Sequence, residues 1–178
     1  MTAIAPTTHT APAAIPSHYT PNPALDLVIE RFVPVSPDRV WRAWTEPERL
    51  KQWWCPRPWR TTECEIDLRP GGIFRTVMQG PEGQEATSGA TGCYLEVVPN
   101  RRLVWTIALG PGFRPLPQAG EVPQFTAIIT LEPVDGGTKY TAIAMHLDPA
   151  GAAQHARLGF HEGWGIATDQ LMEVAQSL

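Results

Sequence analysis

Three histidines in the C-terminal part of the sequence are the side chains best suited to chemistry near neutral pH. His146 ends a predicted strand, and His155 and His161 lie on the predicted helix that follows. Imidazole is both a common metal ligand and a common general base. On a helical wheel His155 and His161 lie about 120° apart, which differs from the i, i+4 spacing of helical metal sites. The spacing therefore predicts no metal site, and His146 stays open as a hydrogen-bonding group or general base.

Other catalytic signatures are missing from the sequence. It contains no G-x-S-x-G, phosphate-binding loop or dinucleotide-binding glycine fingerprint. Glu63, Glu65 and Asp67 alternate along one predicted strand, as expected of a solvated face. We therefore name no catalytic residue and expect no cofactor. If the protein is an enzyme, Tyr94, Tyr140 and His146 are the candidates for moving a proton.

Tryptophan is the most unusual part of the composition. The chain has seven tryptophans, and most of them fall in one short segment: Trp41, Trp44, Trp53, Trp54 and Trp59. Large rings with one polar edge suit an apolar pocket that orients its ligand through few hydrogen bonds. Trp41 and Trp44 are expected in the core, and the adjacent residues Trp53 and Trp54 are not expected to face the pocket equally, so one of them is the better pocket candidate.

Composition excludes several classes of function. A net charge of -4 with no run of Lys or Arg gives no basic surface for nucleic acid or an anionic membrane. No stretch reaches the roughly 18 apolar residues of a membrane span, and no secretory leader is recognisable. Cys55, Cys64 and Cys93 cannot all pair within one chain, so we expect reduced thiols and a cytoplasmic protein.

The elements that would position these side chains follow from periodicity and turn residues. Residues 1–24 are rich in Pro, Ala and Thr and are predicted to be a flexible tail, with the folded domain at residues 25–178. A first strand at residues 25–33 precedes two short helices. The first helix begins at Ser36, and the second is predicted to begin with a capping box at Thr45. Five or six strands follow, joined mostly by short turns, which favours antiparallel pairing.

The last predicted element is one long helix that begins at Asp148 and Pro149. Its apolar stripe is expected to lie on the sheet and comprises Ala152, Ala156, Phe160, Gly163, Ala167, Leu171 and Val174, with Trp164 at its edge. Alternation along the strands places Phe74, Thr76 and Met78 on the inner face of the sheet, with Trp105, Phe125 and Ile129. The register of residues 140–146 stays open. The loop at residues 110–123 is either a lid carrying Phe113 and Leu116 or a mobile loop.

Several sequence blocks, in order, resemble one protein family. They are Glu30 and Arg31, residues 40–45 (VWRAWT), Leu50, Trp53 and Trp54, residues 67–74 (DLRPGGIF), residues 92–97 (GCYLEV), Pro99, residues 102–104 (RLV), Gly137 and Thr138, and Gly163 and Trp164. The pattern resembles the START-like (SRPBCC) superfamily, in the branch named after the C-terminal domain of the activator of the heat-shock protein 90 ATPase. The resemblance implies an α+β helix-grip fold, in which a curved antiparallel sheet of about seven strands wraps around a long C-terminal helix, with two short helices after strand 1.

The resemblance also implies a cavity between the sheet and the C-terminal helix. The expected function is binding of a small hydrophobic or aromatic molecule there without catalysis. A cyclase- or hydratase-type enzyme using the same cavity and a co-chaperone or protein-interaction module are the alternatives. No nucleic acid or membrane partner is expected, and a homodimer stays open. The residues predicted to line the cavity are Trp53, Trp54, Phe74, Thr76, Met78, Trp105, Phe125, Ile129, Tyr140, His146, Phe160 and Trp164.

Overall fold

The computed structural model describes residues 19–81 and 89–178. Its main feature is a seven-stranded sheet with the strand order β1-β9-β8-β5-β4-β3-β2, in which every neighbouring pair is antiparallel. The C-terminal helical segment packs against β1 and the first short helix. The α+β helix-grip fold predicted from the sequence is confirmed. The tail predicted for residues 1–24 falls mostly outside the described residues.

The elements follow each other in the predicted order. The strands of the main sheet are β1 (Asp26–Val33), β2 (Arg60–Ile66), β3 (Ile73–Gln79), β4 (Thr91–Val98), β5 (Arg102–Thr106), β8 (Phe125–Val134) and β9 (Gly137–His146). The helices are α1 (Pro37–Thr45), α2 (Pro47–Leu50), α3 (Pro149–Arg157) and α4 (Phe160–Gln176). Two short strands, β6 (Leu109–Gly110) and β7 (Arg114–Pro115), pair with each other in the loop after β5.

The first short helix begins at the predicted N-cap, and the second has a different N-cap from the one predicted. Ser36 is the N-cap of α1 and Pro37 occupies its first turn, where a missing N–H costs nothing. The predicted capping box at Thr45 is wrong, because Glu46 is the N-cap of α2 and caps it with no side-chain bond. The Thr45 hydroxyl instead donates to the Trp41 carbonyl, 2.8 Å away.

The C-terminal helix is broken, whereas the sequence predicted one continuous helix. Asp148 caps α3 as expected, and its carboxylate accepts from the Gly151 N–H at 2.7 Å. The chain then leaves the helix at Leu158, and Gly159 has φ 92°, a backbone conformation that favours glycine. Because α4 restarts directly afterwards, the two helices present their side chains to the sheet from different directions.

Burial settles the register of β9 that alternation left open. Tyr140, Ala142 and Ala144 belong to the main core on the inner face of the sheet. Ile143 belongs to a second cluster on the outer face, with Val104 and Ile128, and Met145 packs against that cluster. Both faces of these central strands are therefore apolar, which is why the pattern alone favoured neither.

The long loop after β5 forms its own small structure. Its first half contains β6, a single 3-10 turn at Pro111–Phe113 and β7. The Phe113 ring lies against Gly71, where an added Cβ would come within 2.9 Å of it. Phe113 and Leu116 are absent from the residues that line the main cavity, whereas Val122, near the end of the loop, lines it. The lid predicted from Phe113 and Leu116 is therefore wrong for these two side chains.

Candidate ligand-binding cavity

An aromatic cavity lies between the inner face of the sheet and the C-terminal helices. Its volume is about 280 Å³, at the lower end of the range for small-molecule sites. Eight of the predicted residues line it: Trp53, Trp54, Met78, Trp105, Phe125, Tyr140, Phe160 and Trp164. Val122 and Leu158 lie on the same wall and are largely exposed, which places them at the mouth of the cavity.

Tryptophan rings form much of the cavity wall. Trp105 on β5 and Trp164 on α4 are nearly parallel, with ring centroids 6.5 Å apart and an interplanar angle of 11°. Trp54 meets Trp105 at 5.7 Å and Trp44 edge-on at 5.6 Å. Such edge and offset contacts are the favoured arrangements of aromatic rings. The rings therefore support one another and keep an apolar surface facing the cavity.

Trp53 and Trp54 both line the cavity, although Trp53 is buried and Trp54 is only partly buried. They lie in a turn after α2, where neither helical nor strand periodicity separates neighbouring side chains. The Trp53 indole N–H donates to the Ala43 carbonyl at 2.9 Å. This bond fixes one ring while the other packs across it, with centroids 5.6 Å apart.

A buried glutamine on α4 holds the Trp53–Trp54 turn in place. The Gln170 amide nitrogen donates to the carbonyls of Trp53 at 3.0 Å and Cys55 at 2.9 Å. Its amide oxygen accepts from the Arg57 N–H at 3.1 Å. Gln170 thus satisfies three backbone groups of a segment that has no ladder of its own. This positioning residue was missed at the sequence level because a polar residue on a helix gives no sign of its distant partner.

Four predicted residues lie away from the cavity wall. Phe74 is fully buried beneath the rings of Trp54 and Trp105. Thr76 is buried on the same strand, and Ile129 is part of the core on β8. His146 lies behind His155. Alternation identified the correct sheet face for Phe74, Thr76 and Ile129, but these side chains do not border the open space.

The cavity also has lining residues that were not predicted. Small residues leave the space open, since Gly159 at the break between the helices and Gly163 and Ala167 on α4 border it. Gly163 and Ala167 belong to the predicted helical stripe, so their small size was the available signal. The others are Trp44, Cys55, Pro56, Ala90, Val122, His155, Leu158 and Thr168.

Among the described residues the Trp105 indole N–H has no acceptor, whereas the Trp44 indole N–H lies beside the Tyr140 hydroxyl. Trp105 is 1% exposed and Trp44 is 2% exposed, and neither Nε1 has a hydrogen-bond partner of regular geometry among the described residues. Burial raises the pKa of Tyr140, and the side chains of Trp44 and Thr168 beside its hydroxyl offset this in part. Tyr140 therefore stays protonated, and the polar groups of this wall are mainly hydrogen-bond donors.

A pair of neighbouring imidazoles, those of His146 and His155, is the second polar feature beside the cavity. His155, which is 5% exposed, lines the cavity, and its Nδ1 lies 2.9 Å from His146 Nε2. His146 Nδ1 lies 3.0 Å from the Leu25 carbonyl oxygen. Burial, followed by the electrostatic effect of His146, lowers the pKa of His155 to about 4. His155 is therefore neutral at neutral pH.

The described residues contain neither a metal-binding cluster nor a membrane-spanning helix. Residues 19–81 and 89–178 contain no group of three or more His, Cys, Asp or Glu placed to hold a metal ion. Within the same ranges no helix is long and apolar enough to cross a membrane.

Comparison with solved structures identifies relatives whose alignment with this chain covers most of both proteins. A protein from Nitrosomonas europaea is 47% identical, with a TM-score of 0.80 over 88% of this chain and 97% of that one. A protein from Rhodobacter sphaeroides is 26% identical, with a TM-score of 0.74 over 89% of this chain and 97% of that one. A protein from Arthrobacter aurescens is 25% identical, with a TM-score of 0.71 over 87% and 88%. No curated protein matches the chain.

The family comparison agrees with these structures. The family model described as Activator of Hsp90 ATPase homolog 1-like protein matches residues 34–176, which is most of the folded part of the chain. The structural relatives are uncharacterised, so they identify the fold and leave the ligand open. The chain belongs to the Activator of Hsp90 ATPase homolog 1-like protein family.

Proposed function

We propose that this protein binds a small, largely apolar aromatic molecule in the cavity between the sheet and α4. The observation that carries the proposal is the combination of about 280 Å³ of open space with a wall made mainly of aromatic rings. A core without a ligand role is expected to fill such space, because protein interiors are close-packed. Here Gly159, Gly163 and Ala167 leave it open.

The size and chemistry of the wall limit the ligand. The volume suits a molecule of roughly one or two fused rings. Five of the lining residues are tryptophans: Trp44, Trp53, Trp54, Trp105 and Trp164. Aromatic rings favour a planar partner that stacks or packs edge-on. Among residues 19–81 and 89–178, no Lys, Arg, Asp or Glu lines the cavity, so a strongly charged ligand would lose its hydration without gaining an ion pair from these residues.

An enzyme acting in the same cavity is the second candidate. The observation that favours it is the buried pair His146 and His155, since an imidazole on a cavity wall can accept a proton from a bound molecule. Tyr140 and Tyr94 fit this role less well, because burial raises the pKa of both phenols. Turnover of a bound molecule, and its loss in His155→Phe, would favour this candidate over simple binding. The free thiols Cys55, Cys64 and Cys93 suit the reducing cytoplasm, which we propose as the location.

Calorimetric titration with 2-naphthol, a two-ring aromatic probe, tests the proposal. Binding with one-to-one stoichiometry is expected for the wild type. Trp164→Ala removes a lining ring and should weaken binding at least tenfold. Trp59→Ala is the matched control, because Trp59 is absent from the cavity wall, and it should bind like the wild type. No saturable heat with the wild type, or equal weakening in both variants, would contradict the proposal.

A further inference from the structure

The hydrogen bonds of the imidazole pair fix which ring nitrogens carry protons. A backbone carbonyl can only accept, so His146 Nδ1, which lies 3.0 Å from the Leu25 oxygen, must be the protonated nitrogen. The Nε2 of a neutral His146 then has a free lone pair. Because it lies 2.9 Å from His155 Nδ1, the proton of that bond must belong to His155. Each neutral imidazole has one N–H, so His155 Nε2 carries no proton.

The surroundings of the two imidazole rings keep this hydrogen-bonding arrangement in place. The Leu25 carbonyl also accepts from the His146 backbone N–H at 3.1 Å, so the strand pairing of β1 with β9 holds the acceptor in place. The His155 ring is enclosed by Phe125, Phe160 and Trp164, with centroids 5.0, 5.1 and 6.5 Å away. These rings offer no alternative acceptor for its Nδ1–H.

The charged groups on the neighbouring elements are engaged elsewhere. Asp26 on β1 accepts from the Tyr19 hydroxyl and the Asn22 N–H. Asp148, in the turn before α3, caps that helix. His161 and Glu162 on α4 are exposed. The polarity of the His155 ring is therefore set by His146 and Leu25.

We infer that His155 is a specificity-determining residue that selects ligands with a hydrogen-bond donor, such as a phenolic O–H or an aromatic N–H, through its unprotonated Nε2. His155 borders the cavity, and no described residue donates a hydrogen bond to this nitrogen. A ligand without a donor leaves a buried acceptor unpaired, which is costly. His146 acts through His155 and is a positioning residue. The inference rests on the proposed function, because it needs a ligand in the cavity.

A matched pair of probes tests the inference. 2-Methoxynaphthalene is the methyl ether of 2-naphthol, so only the naphthol has an O–H that can donate a hydrogen bond. The wild type should bind 2-naphthol about tenfold or more tightly, which is the range expected when a buried acceptor loses its partner. His155→Phe should bind both with similar affinity. His161→Phe makes the same change at an exposed position and should keep the preference. Equal affinities in the wild type would overturn the inference, whereas failure of both probes to bind would instead overturn the proposed function.

The protonation pattern has its own spectroscopic signature. In ¹⁵N NMR spectra of histidine-labelled protein at neutral pH, His155 Nε2 should give the shift of an unprotonated ring nitrogen, and 2-naphthol should move it toward the protonated range. His146→Phe removes the acceptor for His155 Nδ1–H and should let the other tautomer appear. A protonated Nε2 in the free wild type would overturn the inference whether or not any ligand binds.

Discussion

Gly163 offers the sharpest test of whether the open space between sheet and helix is a binding site. It lies within α4 and borders the cavity. A Cβ built on it would meet no heavy atom within 4 Å, apart from its chain neighbours and its own helical backbone. Gly163→Ala therefore adds one methyl group to free space, whereas Gly163→Phe places a ring there. The two variants make the same backbone change and differ in how much of the cavity they occupy.

The expected stabilities can be worked out from this geometry. Replacing a helical glycine with alanine gains about 0.5–1 kcal/mol. Burying the phenylalanine ring gains about 1.5–3 kcal/mol, which is comparable to the cost of about 1–3 kcal/mol for crowding a packed interior. Gly163→Ala should therefore be slightly more stable than the wild type, and Gly163→Phe should stay within about 2 kcal/mol of it.

Thermal unfolding with and without 2-naphthol separates the two variants. A ligand at one hundred times its Kd stabilises the folded state by about 2.7 kcal/mol, which raises the Tm of a domain this size by about 5–10 °C. Gly163→Ala should keep most of that increase. Gly163→Phe should lose at least about half of it, because a ligand that is at least tenfold weaker stabilises by no more than about 1.4 kcal/mol at the same concentration. A full ligand-dependent increase in Gly163→Phe would refute the assignment of the cavity as the binding site.

Three further predictions follow from individual contacts. Gln170→Leu leaves three backbone groups of the Trp53 turn unpaired and should lower the free energy of unfolding by about 2–4 kcal/mol in urea, with a red shift of tryptophan emission; an unchanged midpoint would contradict this. Because the pKa of His155 is lowered to about 4 in the folded state, the unfolded state binds more protons between about pH 4 and pH 6.5. The free energy of unfolding should therefore fall by about 2–3 kcal/mol as the pH is lowered through that window, and His155→Phe should flatten the curve. Trp105→Phe removes an unpartnered indole N–H but keeps a ring, so loss of ring area and relief of the polar penalty should leave stability within about 1 kcal/mol of wild type; a loss above about 3 kcal/mol in urea unfolding would show that the N–H has a partner.

Local patterns predicted the order of the elements and the antiparallel pairing, whereas the helix-grip arrangement was implied by the family resemblance. The Ser36–Pro37 and Asp148–Pro149 pairs each begin a helix where expected, because the fixed proline φ suits the first turn of both helices and the Asp148 side chain also caps the second. Regular turn residues between alternating strands predicted the antiparallel sheet. The break at Gly159 was missed because a glycine inside an apolar helical stripe is compatible with both a continuous and an interrupted helix.

The sequence predicted which face of the sheet borders the cavity, but it did not predict where open space remains on that face. Alternation placed Phe74, Thr76 and Ile129 on the inner face, yet open space depends on how α4 sits above each strand. The pairing of His146 with His155 could not be predicted either. It joins a strand end to a helix across the β9–α3 turn, and helical spacing compared His155 only with His161. Such contacts depend on tertiary geometry, which a single sequence pattern does not encode.

A crystal structure of the protein with 6-bromo-2-naphthol would test the central claim most directly, because the bromine locates the ligand by its anomalous signal. The account predicts one strong peak inside the cavity, against the Trp164 ring, with the naphthol oxygen toward His155 Nε2. An empty cavity at saturating ligand concentration, with bromine found on the surface alone, would contradict it.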